Sequence, residues 1–384
     1  MHIAFLTSEF PHPKVVHAAG LGTSIKNLAT ALVKGGIKVT VFVYGQKTQE
    51  VIAENGIILH LIKNKKYKFL GWFLHRKHIQ RYCNSIIRKE KVDLLEAPDW
   101  TGITACMNFR IPLVIRFHGS DTYFCHLENR KQKRKNFWFE KIAISKATAF
   151  IAPTDFAGQL SKKLFKINDK EIKTIHNGIE LNDFTNVLPE VFEKGLILYL
   201  GTLIRKKGVL ELPEIFNKVR KDFPDAKLVL IGSDAFDIKT NNNSTWQLMQ
   251  KIFVNDDIKN AAYIGTVSYN EVQNYIKKAN VCVFPTFAET LGMVTIESMA
   301  MQKAVVNSNI GWSQELIVDG ESGYLVHPAN HDLYAAKIIQ LLQNDSLCLQ
   351  IGKQARIRVE DKFDMNRLVK ENIEFYQKIM NQNL

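Results

Sequence analysis

Two glutamates stand eight residues apart in Pro285-Thr-Phe-Ala-Glu289-Thr-Leu-Gly292-Met-Val-Thr-Ile-Glu297-Ser-Met-Ala300, with a glycine between them. The preceding run, Ala279-Asn-Val-Cys-Val-Phe284, is short, apolar and β-branched, and Pro285 stops it as at the end of a buried parallel strand. The spacing predicts strand, loop and helix, with Thr290 as N-cap and Gly292 in the first turn. A helix through both glutamates would set their carboxylates roughly 12 Å apart along the axis, at about 1.5 Å per residue. The amides of Gly292, Met293 and Val294 would lie between them, aimed at an anion with the helix dipole behind. Such a stretch suits a sugar at one end, a diphosphate in the middle and a ribose at the other. Two glutamates alone would be a weak signal, because solvated helix faces supply such pairs freely. The strand, proline, glycine and small-residue tail around them strengthen it.

Three further stretches carry chemistry. Tyr199-Leu-Gly201-Thr-Leu-Ile-Arg205-Lys206-Lys207-Gly208 places cations after a strand and a glycine. Cations there would stabilise charge developing on a leaving phosphate, or else form a solvated basic loop. Arg116-Phe-His118-Gly119-Ser120-Asp121 ends an apolar strand at its C-terminal edge, where open α/β sheets bind ligands. Asp121 there also suits an ordinary turn or N-cap. Ala18-Ala-Gly20-Leu-Gly22-Thr23 follows the first strand and opens a helix, so its glycines allow close backbone approach to a phosphate. It is not G-x-G-x-x-G and lacks the acidic ribose reader, which disfavours a dinucleotide site. There is no D-x-D and no His/Cys cluster of metal-ligand spacing, so the expectation is no metal and no cofactor.

The stretch 285–300 resembles the E-x7-E signature of the retaining glycosyltransferases of the GT-B fold, glycosyltransferase family 4. The resemblance runs from about residue 3 to residue 330. It implies that Glu289 meets donor-sugar hydroxyls and that Glu297 holds the ribose. It gives His118 a donor-sugar contact, and Arg205 and Lys207 the leaving phosphate. Gly201 and Gly22 would lie beside the donor. Thr202 stands where the family's arginine commonly follows the glycine, so Arg205 would have to supply the guanidinium. The resemblance also implies two Rossmann-like doubly wound domains facing a cleft, with a C-terminal helix returning to the first.

The elements that would position these residues alternate accordingly. Strand-like and helix-like segments follow one another from Ile3 to Ala152 and again from Leu196 to Asn307, the rhythm of parallel sheets covered by helices. Asn182-Asp-Phe-Thr-Asn-Val-Leu-Pro-Glu190 reads as the linker. The expected domains are 1–185, joined by a helix at about 364–384, and 190–363.

A length of 384 residues favours two cores, and 46% apolar with 23% charged residues is a soluble composition. Five cysteines (Cys83, Cys106, Cys125, Cys282, Cys348) without C-x-x-C spacing favour a reducing compartment. Neither a signal peptide nor a membrane span is read, so a cytoplasmic location is expected. The formal excess of charge is one-sided. Residues 1–190 hold 29 Lys and Arg against 16 Asp and Glu, whereas residues 191–384 hold 22 of each. The densest basic runs, 63–91 and 130–146, include Tyr67, Phe69, Leu70, Trp72, Phe73 and Leu74. They suit either an anionic membrane surface or an amphipathic helix with its aromatics in the core. No nucleic-acid module is read, so no nucleic-acid partner is expected. The expected partners are a nucleotide-sugar donor and a glycan or lipid-linked acceptor, and the expected reaction is hexose transfer with retention. Two other readings stand beside it: a nucleotide-sugar epimerase, and a non-catalytic nucleotide- or polyanion-binding protein.

Overall fold

The computed structural model describes residues 1–254 and 256–382. Two compact units divide the chain: Leu181–Asp364, and Met1–Glu180 joined by the chain from Met365 onward.

The first unit carries strands β1 (His2–Thr7), β2 (Lys38–Gln46), β3 (Glu50–Glu54), β4 (Ile57–Lys63), β5 (Leu94–Pro98), β6 (Leu113–Arg116), β7 (Ala149–Ala152) and β8 (Ile172–Thr174). They form one sheet in the order β3-β4-β2-β1-β5-β6-β7-β8. The pairings are parallel except that of β3 with β4, a hairpin turned at Asn55-Gly56, both at positive φ. Helices α1 (Gly20–Lys34), α2 (Gly71–Glu90), α3 (Asp121–Leu127), α4 (Arg134–Lys146) and α5 (Asp155–Phe165) accompany it. β1 is buried throughout and β2 from Val39 to Tyr44, and both supply mostly apolar runs, as a sheet covered on both faces requires. On one face α1 packs Ile25, Leu28 and Leu32 beside Leu368, Phe375 and Ile379 of the last helix, 365–381. On the other, α2 and α4 pack Ile79, Cys83, Ala143 and Ile144.

That last helix is held by charge as well as by apolar contact. Arg116, 3% exposed, donates Nε to Glu96 Oε1 at 2.7 Å and Nη2 to Oε2 at 3.1 Å, and Glu96 is 2% exposed. The same Nη2 reaches Asn372 Oδ1 at 2.5 Å, and the Tyr376 hydroxyl donates to Glu96 Oε2 at 2.6 Å. Burial alone would lower the Arg116 pKa, but Glu96 outweighs it and raises it, so the guanidinium stays charged.

The second unit carries β9 (Leu196–Leu200), β10 (Lys227–Ile231), β11 (Ala261–Gly265), β12 (Val281–Phe284), β13 (Ala304–Asn307) and β14 (Tyr324–Leu325), all parallel, in the order β11-β10-β9-β12-β13-β14. Its helices are α6 (Leu212–Asp222), α7 (Thr245–Gln250), α8 (Tyr269–Lys278), α9 (Met293–Ala300), α10 (Trp312–Leu316), α11 (His331–Gln343) and α12 (Asp345–Lys362), and the first unit's last helix is α13 (Met365–Asn381). The chain passes between units after Glu180, just ahead of the stretch 182–190 read as a linker. That stretch is packed on the second unit: Phe184 is buried, and the Asn186 amide donates to the Met301 carbonyl at 3.1 Å. Polarity suggested a free linker, whereas its one aromatic and its amide find partners. Among the described residues no helix is long and apolar enough to cross a membrane.

Candidate functional site

In the second unit the cationic loop and the glutamate stretch meet at the ends of β9 and β12. β9 runs into Gly201, whose φ of 138° lets the chain turn. Gly232, at the end of the neighbouring β10, lies against it so closely that a β-carbon there would meet the Gly201 carbonyl oxygen at 2.1 Å. Arg205–Lys207 then form one 3₁₀ turn closed by Gly208 at φ 67°. A β-carbon on Gly208 would lie 1.6 Å from the Pro285 carbonyl oxygen. The amides of Phe287 and Ala288 both donate to the Lys206 carbonyl, at 2.9 and 3.2 Å. The two loops are thus laced together through their backbones.

This lacing brings Lys207 onto Glu289 in an ion pair, with side chains 21% and 18% exposed. Glu289 Oε1 also accepts the Thr290 amide at 2.9 Å. Burial pushes the Glu289 carboxyl up, but Lys207 and the Thr290 amide outweigh it and hold it below its ordinary range. Glu289 is therefore a carboxylate at neutral pH.

The helix begins later than the spacing predicts. Its N-cap is Gly292 at φ 98°, not Thr290, and α9 contains only Glu297 of the two glutamates. A left-handed cap is open to glycine and strained for threonine, which explains the shift. The rise of roughly 12 Å expected for a helix through both carboxylates does not apply, because Glu289 lies in the loop. The Gly292 carbonyl accepts the Thr295 and Ile296 amides, at 3.1 and 3.4 Å. Among the described residues no acceptor takes the amides of Met293 or Val294, the open donors of an anion-binding helix start. Glu297 lies one turn on, its carboxyl pushed by burial up to about 7. The Tyr269 hydroxyl donates to its Oε1 at 3.4 Å.

Arg205 is committed elsewhere. Its Nε and Nη2 each donate to the buried Asp237 at 2.8 Å, and Asp237 also takes the Thr240 amide and hydroxyl. The Arg205 fork, with Thr240, holds the Asp237 carboxyl far below its ordinary value. The residue is an anchor for the loop 233–245, while Lys207 faces the glutamate.

In the first unit His118 follows β6 on a loop fixed by Asp99. Asp99, 1% exposed, accepts the His118 amide at 2.9 Å, and among the described residues its other oxygen has no hydrogen-bond partner. Burial raises the Asp99 carboxyl to about 7. Burial, with Arg116 beside it, lowers the His118 imidazole to about 3, so at neutral pH the ring is an uncharged hydrogen-bonding group. The next helix start is already filled. Ser120 caps α3, and the buried Glu140 accepts the amides of Asp121 and Thr122 at 2.8 and 3.1 Å. Asp121 is not the cap; it pairs with Arg130 at 3.1 Å. Gly22 serves packing: a β-carbon there would come 2.9 Å from the Glu9 carbonyl carbon, and its amide donates to Glu9 Oε2 at 3.4 Å. A carboxylate at that helix start repels a phosphate.

Among the described residues no cluster of three or more His, Cys, Asp or Glu could hold a metal ion. Asp237, Gly232, Tyr269 and Asp99 were not singled out from sequence. Of these, only Gly232, a glycine directly after a β-branched run, carried a readable signal.

Comparison with known proteins covers both units. The family profile described as Glycosyltransferase Family 4 matches residues 18–183, and that described as Glycosyl transferases group 1 matches residues 183–358. A glycosyltransferase of Methanocaldococcus jannaschii is 25% identical, with 98% of each chain covered. The capsular polysaccharide biosynthesis glycosyltransferase CapM of Staphylococcus aureus is 30% identical over 62% of this chain and 63% of its own. Among solved structures, Anabaena HepE in complex with UDP and glucose superposes with a TM-score of 0.75 at 16% identity, over 98% of this chain and 100% of that one. With glycosyltransferase profiles tiling residues 18–358 and the same two-sheet fold spanning nearly its whole length, the chain belongs to the GT-B glycosyltransferases of the family 4 type.

Proposed function

We propose that this glycosyltransferase moves a hexose from a UDP- or GDP-sugar to a glycan or lipid-linked acceptor of cell-surface polysaccharide or lipopolysaccharide, retaining the anomeric configuration. The observation that carries the reading is the Lys207–Glu289 ion pair beside the open amides of Met293 and Val294. When the donor binds, Lys207 turns to the diphosphate and Glu289 to sugar hydroxyls, while the α9 amides share the phosphate charge. Breaking the anomeric C–O bond leaves charge on the β-phosphate, where a fixed cation and amides stabilise it without a metal. Neutral His118 donates or accepts a hydrogen bond at the sugar. Arg205 positions its loop through Asp237. The kinship with CapM supports a polysaccharide acceptor, and the UDP bound by HepE supports a uridine donor. The protein works in the cytoplasm, peripherally at the inner face of the membrane.

The test is hydrolysis of UDP-, GDP- and ADP-hexoses without acceptor, with the released anomer followed by proton NMR. One donor hydrolysed to the retained anomer is the expected result. An isomerised nucleotide sugar would identify an epimerase, and binding without any turnover a non-catalytic protein.

Glu297 gives the donor site a pH dependence. In this reading its carboxylate accepts the ribose hydroxyls, and its pKa of about 7 leaves half of it protonated at neutral pH. Donor KM should therefore fall as pH rises from 6 to 8, by up to about tenfold per unit below the pKa. Glu297→Gln should show a high KM without that slope. An unchanged slope in the variant would remove Glu297 from the ribose. The stability sign is the opposite: a raised carboxyl pKa favours the folded state at low pH, and the gain is lost as pH rises to about 7.

A further inference from the structure

We infer that the starts of α2 and α4 form one amphipathic rim that seats the first unit on an anionic phospholipid surface. The inference deepens the membrane location proposed above and rests on it, but not on the chemistry of transfer.

Two basic segments distant in sequence are joined here. Residues 55–89 contain nine Lys and Arg and no Asp or Glu, and residues 129–139 contain five and none. Phe139 of α4 is the junction: the Trp72 ring of α2 lies 4.9 Å from it, with Arg76 4.3 Å and Lys135 5.7 Å from its centroid. The core reading of the aromatics holds only in part. Phe73 and Phe139 are partly buried, but Phe69 is 82%, Leu70 64% and Trp72 40% exposed. Leu70 caps α2 at φ 49°, a left-handed conformation that favours glycine, and its apolar side chain stands in solvent. Trp138, directly before Phe139 in α4, is 56% exposed with Lys141 over its ring at 5.6 Å.

The cations around this apolar crest are uncommitted. Among the described residues Lys65, Lys66, Lys68, Lys133, Arg134 and Lys135 make no ion pair with a carboxylate. The whole first unit holds 32 Lys and Arg against 16 Asp and Glu, a net of +16. A protruding Phe-Leu-Trp crest ringed by free lysines fits an interfacial anchor, with apolar side chains among headgroups and charges on phosphates. A nucleic acid would draw the same charge but gives exposed Leu70 nothing to contact. The crest follows β4, so α2 begins at the C-terminal edge of the sheet, and α4 meets the same edge where Phe139 packs on Gly102, just beyond β5. A lipid-linked acceptor would thus reach the sheet edge that carries His118.

The test is flotation of the full chain with vesicles of phosphatidylcholine alone and of phosphatidylcholine with 30% phosphatidylglycerol, in low and moderate salt. The anionic vesicles should bind at least tenfold more tightly at low salt, and less as salt rises. Reversing Lys65, Lys66 and Lys68 to Glu should cost more than about a hundredfold, since each cation near such a surface is worth about fivefold. Phe69→Ser with Leu70→Ser should weaken binding about tenfold at both salt concentrations, with blue-shifted tryptophan emission lost. Both variants should hydrolyse donor as before. Equal binding by wild type and variants overturns the inference, as does an RNA duplex that binds equally well to wild type and to the Phe69/Leu70 variant. Vesicle binding without donor hydrolysis would sink the transferase reading and leave this one standing.

Discussion

Lys207→Ala is expected to lower kcat a hundredfold to a thousandfold, and Glu289→Gln by a similar factor. One fixed donor aimed at developing charge is worth about 3 to 4 kcal/mol when removed, and Lys207 is the cation that the laced loops bring to the start of α9. A simple structural role predicts a different pattern. Lys207→Ala alone leaves a half-buried carboxylate without its partner, which would cost stability and could lower activity indirectly. The double variant Lys207→Met with Glu289→Gln separates the two, because it removes both charges and spares the buried cost. Urea unfolding should return the double variant to within about 1 kcal/mol of wild type. Donor hydrolysis should remain at or below the level of either single variant. Recovery of activity along with stability would reduce the pair to a structural contact. Arg205→Ala should behave differently again, raising donor KM through its loop while kcat changes less, since its guanidinium faces Asp237.

Arg116→Ala is expected to destabilise the first unit by about 3 to 5 kcal/mol, the usual result of stripping one member from a buried ion pair. Glu96, 2% exposed, would be left, among the described residues, with the Tyr376 hydroxyl in place of the guanidinium. For a unit of this size that is a fall in Tm of roughly 6 to 20 °C. Protease sensitivity should appear first near α13, whose Asn372 and Tyr376 lose their partner. Arg116→Met with Glu96→Leu should recover most of the loss, since apolar replacement of both charges is often neutral. An Arg116→Ala protein with unchanged Tm would make the network dispensable.

The stretches with local signatures could be read from the residues. β12 shows as a β-branched run cut by Pro285, α9 as a helix with Gly292 near its start, and both sheets as mainly parallel from their alternation with helices, though the antiparallel β3–β4 hairpin of the first was not read. What escaped the reading depends on contacts between distant positions. The resemblance gave Arg205 the phosphate because Thr202 holds the usual arginine position; its guanidinium pairs with Asp237, 32 residues on, in a loop with no signature of its own. Asp99 was not singled out, because only the fold brings the loop 118–120 onto its carboxyl. Gly22 and the start of α1 fitted a phosphate site from sequence, yet Glu9, thirteen residues earlier, supplies an internal anion. The cap at Gly292 rather than Thr290 is a matter of one dihedral angle, which side-chain preference alone does not determine.

The tie between Arg116 and α13 also orders the life of the chain before it ever meets a substrate. During synthesis the strands of the first sheet emerge early, but Glu96 and Arg116 cannot complete their network until Asn372 and Tyr376 have been made. The apolar face that α13 covers, with Ile25, Leu28 and Leu32, stays open for the same interval. The second unit is continuous in sequence, from Leu181 to Asp364, and can close its core first. The unit split around the other is therefore expected to close its core last, and a nascent-chain chaperone would find its hydrophobic target there.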